Sequence, residues 1–342
     1  MARTIKAFGI AATGATIVTA FWLGGCTGPS NHPPGVDVTQ RQLGYFWRAE
    51  RLRGNVLRVS LLDDTAPVEP FIGPSAGNAN CTGCHSASPT GRYLAANVGY
   101  GNIRFMDVTT SLFVVVPGLT GGSLAAWNPN NTDEFVYSDG HRLLRGTISG
   151  GVIGPIPGTD NDDFVRIMPT WSVDNVIAYV RGTTGTSWRA TGPTDIYTIS
   201  PDGGPNDGTP LAGASGNGFS HAFPAFSPNG DWIAMSVSET VLDTFAPSDA
   251  QVRLVAANGS GVVKTLPNLN GPTPNVGNTW PTWSPNGDAI AFSSRRGGGS
   301  ADLYVAAVSQ VSGVDGPAQL LPRVNTQDKH ELKFEWSPIR DQ

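Results

Sequence analysis

Six times along this chain a strand-ending residue is followed by the same short turn. The copies are Ala87-Ser88-Pro89-Thr90-Gly91, Trp127-Asn128-Pro129-Asn130-Asn131, Trp171-Ser172-Val173-Asp174-Asn175, Phe226-Ser227-Pro228-Asn229-Gly230, Trp283-Ser284-Pro285-Asn286-Gly287 and Trp336-Ser337-Pro338. Proline fixes φ and the closing glycine or asparagine supplies a positive φ, so each copy is a tight turn between strands. From Ser88 through Asn128, Ser172, Ser227 and Ser284 to Ser337 the separations are 40, 44, 55, 57 and 53 residues, which is one four-stranded blade each plus loop insertions. A strand follows the turn, as in Trp232-Ile233-Ala234-Met235-Ser236 and Ala289-Ile290-Ala291-Phe292-Ser293, and another comes later, as in Asp195-Ile196-Tyr197-Thr198-Ile199 and Asp302-Leu303-Tyr304-Val305. Composition agrees: 43 Gly and 27 Pro among 342 residues suit many short strands joined by turns. The expected fold is all-β, a six-bladed propeller spanning 41–342. Because the sixth turn lies so close to Gln342, the early strands around Tyr45–Trp47 and Asn55–Leu62 are expected to complete that blade, so that N- and C-terminal strands close the ring.

The repeats resemble the TolB-type family of WD-repeat-like β-propellers, whose blades carry an aromatic-Ser-Pro-Asp/Asn-Gly turn, an Ile-Ala-Phe/Met strand and an Asp-aliphatic-Tyr strand. The resemblance covers nearly all of Gly44 to Gln342. It departs at Asn130-Asn131 and at Val173-Asp174-Asn175, where the turn is degraded. What it implies is a propeller of the bacterial envelope, with a scaffolding or protein-binding role among the possibilities.

A second feature sits on the first turn. Cys81-Thr82-Gly83-Cys84-His85 reads C-x-x-C-H, the attachment sequence of c-type haem, in which two thiols form thioethers and the histidine ligates iron. The competing readings of two such cysteines are weak here: no second C-x-x-C completes a zinc cage, and no βαβ pattern suggests a thioredoxin-like pair. The expectation is one covalent haem c held by Cys81, Cys84 and His85.

The first 22 residues have a short basic start (Arg3, Lys6) and then an apolar run to Trp22, ending at Leu23-Gly24-Gly25-Cys26. This reads as a signal peptide over 1–25, with Cys26 placed like the acylated cysteine of a bacterial lipobox; the alternative is ordinary cleavage near Gly25. Lipid on Cys26 and haem on Cys81 and Cys84 would account for all three cysteines, and no disulfide is expected. Residues 26–40 carry prolines and no apolar period, so they read as a tether to a membrane, with His32 solvated in it. Thr27 after the lipid cysteine resembles the pattern of outer-membrane lipoproteins, which implies an anchor in the outer membrane facing the periplasm or the cell surface.

His85 stands at the start of the first blade's innermost strand, at the position Pro281 holds in the fifth copy, so the haem is expected at the mouth of the central channel. Three residues near equivalent places are candidates for the second axial ligand: His221, opposite in blade four, then Met168 and His330, with water or an open site as the remaining possibility. Met106 and Met235 fall at apolar repeat positions and read as core, and His141 as a hairpin tip. Asp160-Asn161-Asp162-Asp163 fits no calcium loop and reads as a solvated acidic turn. Arg295 and Arg296 precede Gly297-Gly298-Gly299 and could meet haem propionates, though a flexible loop is the plainer reading.

Net charge is −5, with no basic stripe, so nucleic acid is not an expected partner. The sequence contains no G-x-S-x-G, no phosphate-cradling glycine loop and no H-E-x-x-H. The leading expectation is an exported, lipid-anchored monohaem electron carrier that meets redox proteins of the envelope. The alternatives are a haem-based sensor or peroxidase-like enzyme with an open distal site, and an envelope protein-binding propeller.

Overall fold

The structure is a computed structural model. It describes residues 42–50, 53–63, 65–73, 82–99, 101–160, 162–205, 207–245, 247–321, 323–326 and 329–338. The signal peptide, the tether with His32, Cys26 and Cys81 lie outside the described residues. No described helix is long and apolar enough to cross a membrane.

Alternating short strands and turns build six antiparallel sheets of four strands. The chain enters on three strands of one sheet, β1 (Gln42–Glu50), β2 (Arg53–Ser60) and β3 (Glu69–Ile72). Blade one follows as β4 (Thr82–Ala87), β5 (Tyr93–Val98), β6 (Ile103–Asp107) and β7 (Leu112–Val114). Blade two is β8 (Ser123–Asn128), β9 (Asn131–Ser138), β10 (Leu143–Thr147) and β11 (Gly151–Pro155), and blade three is β12 (Val165–Trp171), β13 (Ile177–Gly182), β14 (Thr194–Ile199) and β15 (Thr209–Pro210). Blade four is β16 (Ser220–Phe226), β17 (Trp232–Ser238), β18 (Gln251–Ala256) and β19 (Val263–Thr265). A one-turn helix, α1 (Pro267–Asn270), leads to blade five, β20 (Thr279–Trp283), β21 (Ala289–Ser294), β22 (Asp302–Ala307) and β23 (Gln319–Leu320). The last strand, β24 (His330–Pro338), pairs with β1 and becomes the innermost strand of blade six. The ring is thus closed by non-covalent pairing of the two ends, and no blade is left with an open inner edge.

The core lies between blades, because each sheet has two faces and each face must be covered by a neighbour. Tyr45, Val56, Leu94 and Met106 fill the seam between blades six and one, and Phe105, Trp127 and Phe135 the seam between one and two. Trp171 and Tyr179, then Trp283 and Phe292, and then Phe46 and Trp336 fill further seams around the ring. The aromatic residue before five of the six turns reaches into a seam, and burying such a side chain contributes on the order of 2–3 kcal/mol. This is the physical reason the repeat keeps it. Met106 and Met235 are core residues, 5% and 0% exposed. His141 is exposed between β9 and β10. A buried ion pair stitches blade three, with Arg166 fully buried and its Nε 2.7 Å from Asp207 Oδ1. Arg181 reaches the other oxygen of Asp207 at 3.2 Å.

Candidate functional site

Every innermost strand carries the same irregularity four residues before the turn serine or asparagine. Cys84, Leu124, Met168, Phe223, Trp280 and Lys333 all have positive φ, between 40° and 59°. In blades one to five this residue and the next face a single residue of the neighbouring strand, so the pairing skips from Gly83 to Ser86, from Ser123 to Ala126, from Ile167 to Thr170, from Ala222 to Ala225 and from Thr279 to Thr282. In blade six the skip passes over Lys333 alone. Such bulges break the ladder at one place and re-aim a side chain, and a left-handed conformation is costly for a residue that has a Cβ. Six of them at one level turn six side chains toward the propeller axis.

Together they line a funnel of about 410 Å³. Its floor is apolar: Trp280 stacks on Phe223 with ring centroids 3.6 Å apart, and the Phe223 N–H donates to Met168 Sδ at 3.4 Å. Leu124, Met168, Phe223 and Trp280 are each under 10% exposed. Lys333 is the one cation of the ring, and its Nζ lies 3.3 Å from Glu335 Oε2. Burial pushes the Glu335 carboxyl above the usual range, while Lys333 and the Ala87 backbone oppose that shift.

The C-x-x-C-H motif falls on this architecture in a specific way. Cys84 and His85 are the bulged pair of blade one, and both border the funnel. At the position of His85 the other blades have Ala125, Pro169, Pro224, Pro281 and Phe334. Proline is accepted there because the bulge leaves that N–H outside the ladder, so the fold itself makes no demand for an imidazole. Yet the imidazole is fully buried, and neither ring nitrogen meets a hydrogen-bond partner. Burial, and then the nearby Lys333 charge, push its pKa down to about 3; the Tyr45 backbone approaches the ring and opposes this weakly, but outside the geometry of a hydrogen bond. The side chain is therefore neutral. Tyr45 Oη, Trp47 Nε1 and Asn55 Oδ1 are further buried polar atoms without a partner, all on β1 and β2 of blade six. Burial raises the Tyr45 hydroxyl to about 12, with Arg58 opposing.

The wall on this side is built from small residues. Where five blades place Trp127, Trp171, Phe226, Trp283 and Trp336 before the turn, blade one has Ala87. Gly83 leaves room for the Trp47 indole, whose ring carbons would lie 2.7 Å from an added Cβ. The strand is tied down on its other side: Ser86 Oγ donates to Ala125 O at 2.7 Å, and Trp127 Nε1 donates to Ser86 O at 3.1 Å.

Of the three distal candidates, Met168 borders the funnel, on the same ring as Cys84. His221 does not. It lies two residues before the bulge and is 1% exposed, with Nδ1 2.7 Å from Thr194 O and Nε2 3.3 Å from Asn217 Nδ2. Burial lowers its pKa. His221 comes before the bulge and three residues from Pro224, the place equivalent to His85, so it does not share the direction of the funnel-lining residues. His330 also lies off the funnel, its Nδ1 accepting the Ala301 N–H at 3.0 Å. Arg296 is committed to the fold through Leu269 O at 2.8 Å and Asn278 Oδ1 at 2.9 Å. Among the described residues no group of three or more His, Cys, Asp or Glu is gathered so as to hold a metal ion. Lys333 and Glu335 were not singled out from the sequence; counting four and two residues back from Ser337 would have placed both at the funnel.

Comparison of the whole structure with solved ones gives TolB from Acinetobacter baumannii at a TM-score of 0.59 and 14% identity, covering 89% of this chain and 68% of that one. A TolB candidate from Agrobacterium tumefaciens matches at a TM-score of 0.53 and 16% identity, over 88% of this chain and 99% of the other. The chain has the TolB propeller fold. At such identities the likeness concerns the fold alone. No protein-family model matches the sequence, and no curated protein does either.

Proposed function

We propose that this TolB-like propeller carries one covalent haem c at the funnel wall of blade one and serves as an exported electron carrier. The observation that carries the reading is His85: a buried, neutral imidazole with two unpartnered nitrogens, directly after Cys84 of a C-x-x-C-H sequence, at a position where the fold accepts proline. Leaving such a group without a partner costs on the order of 1–3 kcal/mol, and a neutral imidazole is the form that ligates iron. The donor chemistry fits. His85 would ligate the iron, and Cys84 with Cys81 would form the thioethers. Once bound, the haem would supply a one-electron couple.

The chain's own residues have definable parts in this. The bulge at Cys84 aims its side chain toward the funnel, and the hydrogen bonds of Ser86 and Trp127 hold β4 in place. Ala87 leaves the wall open where other blades have an aromatic ring. The buried apolar floor of Met168, Phe223 and Trp280 would keep water from a haem held there, and such surroundings would favour the less charged iron state. Met168 is the distal candidate this reading prefers, since His221 and His330 are occupied elsewhere. Cys26 would anchor the protein through lipid to the envelope, where redox proteins would be its partners.

The test is the intact mass of the protein purified after export. A mass raised by one haem, lost in Cys84→Ala, supports the proposal; an unmodified polypeptide mass after export refutes it.

A further inference from the structure

The outermost strand of every propeller blade has a free edge, and such edges invite pairing with another chain unless they are blunted. Five of the six edges here are blunted. β3 contains Glu69, paired with Arg58, and Pro70; β11 has Gly151 and Gly154 at positive φ and ends on Pro155. β15 and β23 are two residues long, and β19 carries Lys264.

β7, three residues long like β19, has no charge, glycine or proline to blunt it. It runs Leu112-Phe113-Val114 and continues into Val115 and Val116, with no charge, glycine or proline before Pro117. Val114 and Val116 turn inward to the core, while Leu112, Phe113 and Val115 are 67%, 45% and 87% exposed. The chain after them lies against blade two, where Val152 N donates to Pro117 O at 2.8 Å, and that brings Ile153, 65% exposed, to the same rim. Five consecutive apolar residues without charge, mostly of high β-propensity, are an aggregation hazard when left bare.

We infer that this rim of blades one and two is a homodimer interface, in which β7 pairs antiparallel with β7 of a second copy. Three observations favour a second copy as the occupant. An edge strand is self-complementary about a two-fold axis, so the same residues serve both sides. Leu112, Phe113, Val115 and Ile153 carry no charge, so two copies meet through them without like-charge repulsion. The four exposed side chains offer on the order of 450 Å² of apolar area per copy, about 900 Å² for the pair, which at the usual apolar share of an interface corresponds to a standard-sized contact of about 1,500 Å². The inference stands apart from the haem reading.

Sedimentation equilibrium of the purified protein, with Cys26→Ser so that an acyl chain cannot drive association, tests it. A dimer is expected at about 10 μM, weakened at least tenfold in Val115→Lys and in Phe113→Lys, and unchanged in Val311→Lys, a control at a valine exposed to 85% on blade five. Circular dichroism melts of the variants should match the parent, as all three positions face solvent. A monomer up to about 100 μM, whether or not it binds lipid vesicles or another protein, overturns the inference, as does a dimer indifferent to Val115→Lys.

Discussion

Replacing His85 by leucine separates an imidazole that the fold uses from one held ready for a ligand. The side chain is fully buried, and both nitrogens lie there without a hydrogen bond. An orphaned buried polar group costs about 1–3 kcal/mol, while replacement by an apolar group of similar volume keeps the packing. Equivalent places in the ring already hold Ala125, Pro169, Pro224, Pro281 and Phe334, so no backbone strain is expected from the loss of the ring. In protein produced without haem, His85→Leu should therefore be more stable than the parent by about 1–3 kcal/mol, or roughly 1–2 °C in melting temperature per kcal/mol for a chain of this size. Urea unfolding of the two haem-free proteins, compared at equal m-value, measures this. A variant destabilised by more than about 1 kcal/mol would show that the imidazole is a structural element, and would remove the observation on which the haem proposal rests.

Further expectations concern the supports of the site and of the ring. Gly83→Ala would drive a methyl group into the Trp47 indole, 2.7 Å away, and should cost about 1–3 kcal/mol in denaturant unfolding; a change below about 0.5 kcal/mol would mean that Trp47 does not rest on this strand. Arg166→Ala leaves the buried Asp207 with Arg181 alone and should cost about 3–5 kcal/mol, whereas Arg166→Met combined with Asp207→Asn should recover much of it. Asp249 braces the loop after β17: burial pushes its carboxyl up, but hydrogen bonds from Ser238, Thr240 and Val241 outweigh that and bring its pKa down to about 2. Its contribution is present above the ordinary carboxylate range and lost as pH falls through about 2. With allowance for solvent screening it amounts to about 1–2 kcal/mol, and Asp249→Ala should flatten that part of an acid titration of stability.

Much of this architecture is legible in the sequence because the turn recurs. The serine of each copy marks the end of an innermost strand, and the strands after it follow with little ambiguity, including the pairing of β24 with β1. The bulge is what the sequence hides. Its residues Cys84, Leu124, Met168, Phe223, Trp280 and Lys333 share a position but no chemistry, so no residue-type pattern announces that all six turn toward the axis. His221, which looks like a partner for His85 because it lies near the equivalent place in the opposite blade, stands off the funnel with Thr194 and Asn217, whereas Met168, on the bulge, lies on it. The same omission concealed Lys333 and Glu335. Side-chain alternation is a property of regular strands, and the wall of this propeller's funnel is where the strands are irregular.

The reading of the whole molecule turns on whether exported protein contains haem on this wall. Its most direct test is the absorption spectrum of the purified, mature protein, oxidised and reduced, with and without carbon monoxide. A low-spin haem spectrum unaffected by the gas, turned high-spin by Met168→Ala, is the result expected of an electron carrier ligated by His85 and Met168. A high-spin spectrum that shifts with carbon monoxide would contradict electron transfer in favour of an open site, and the absence of any haem band would contradict the cofactor itself.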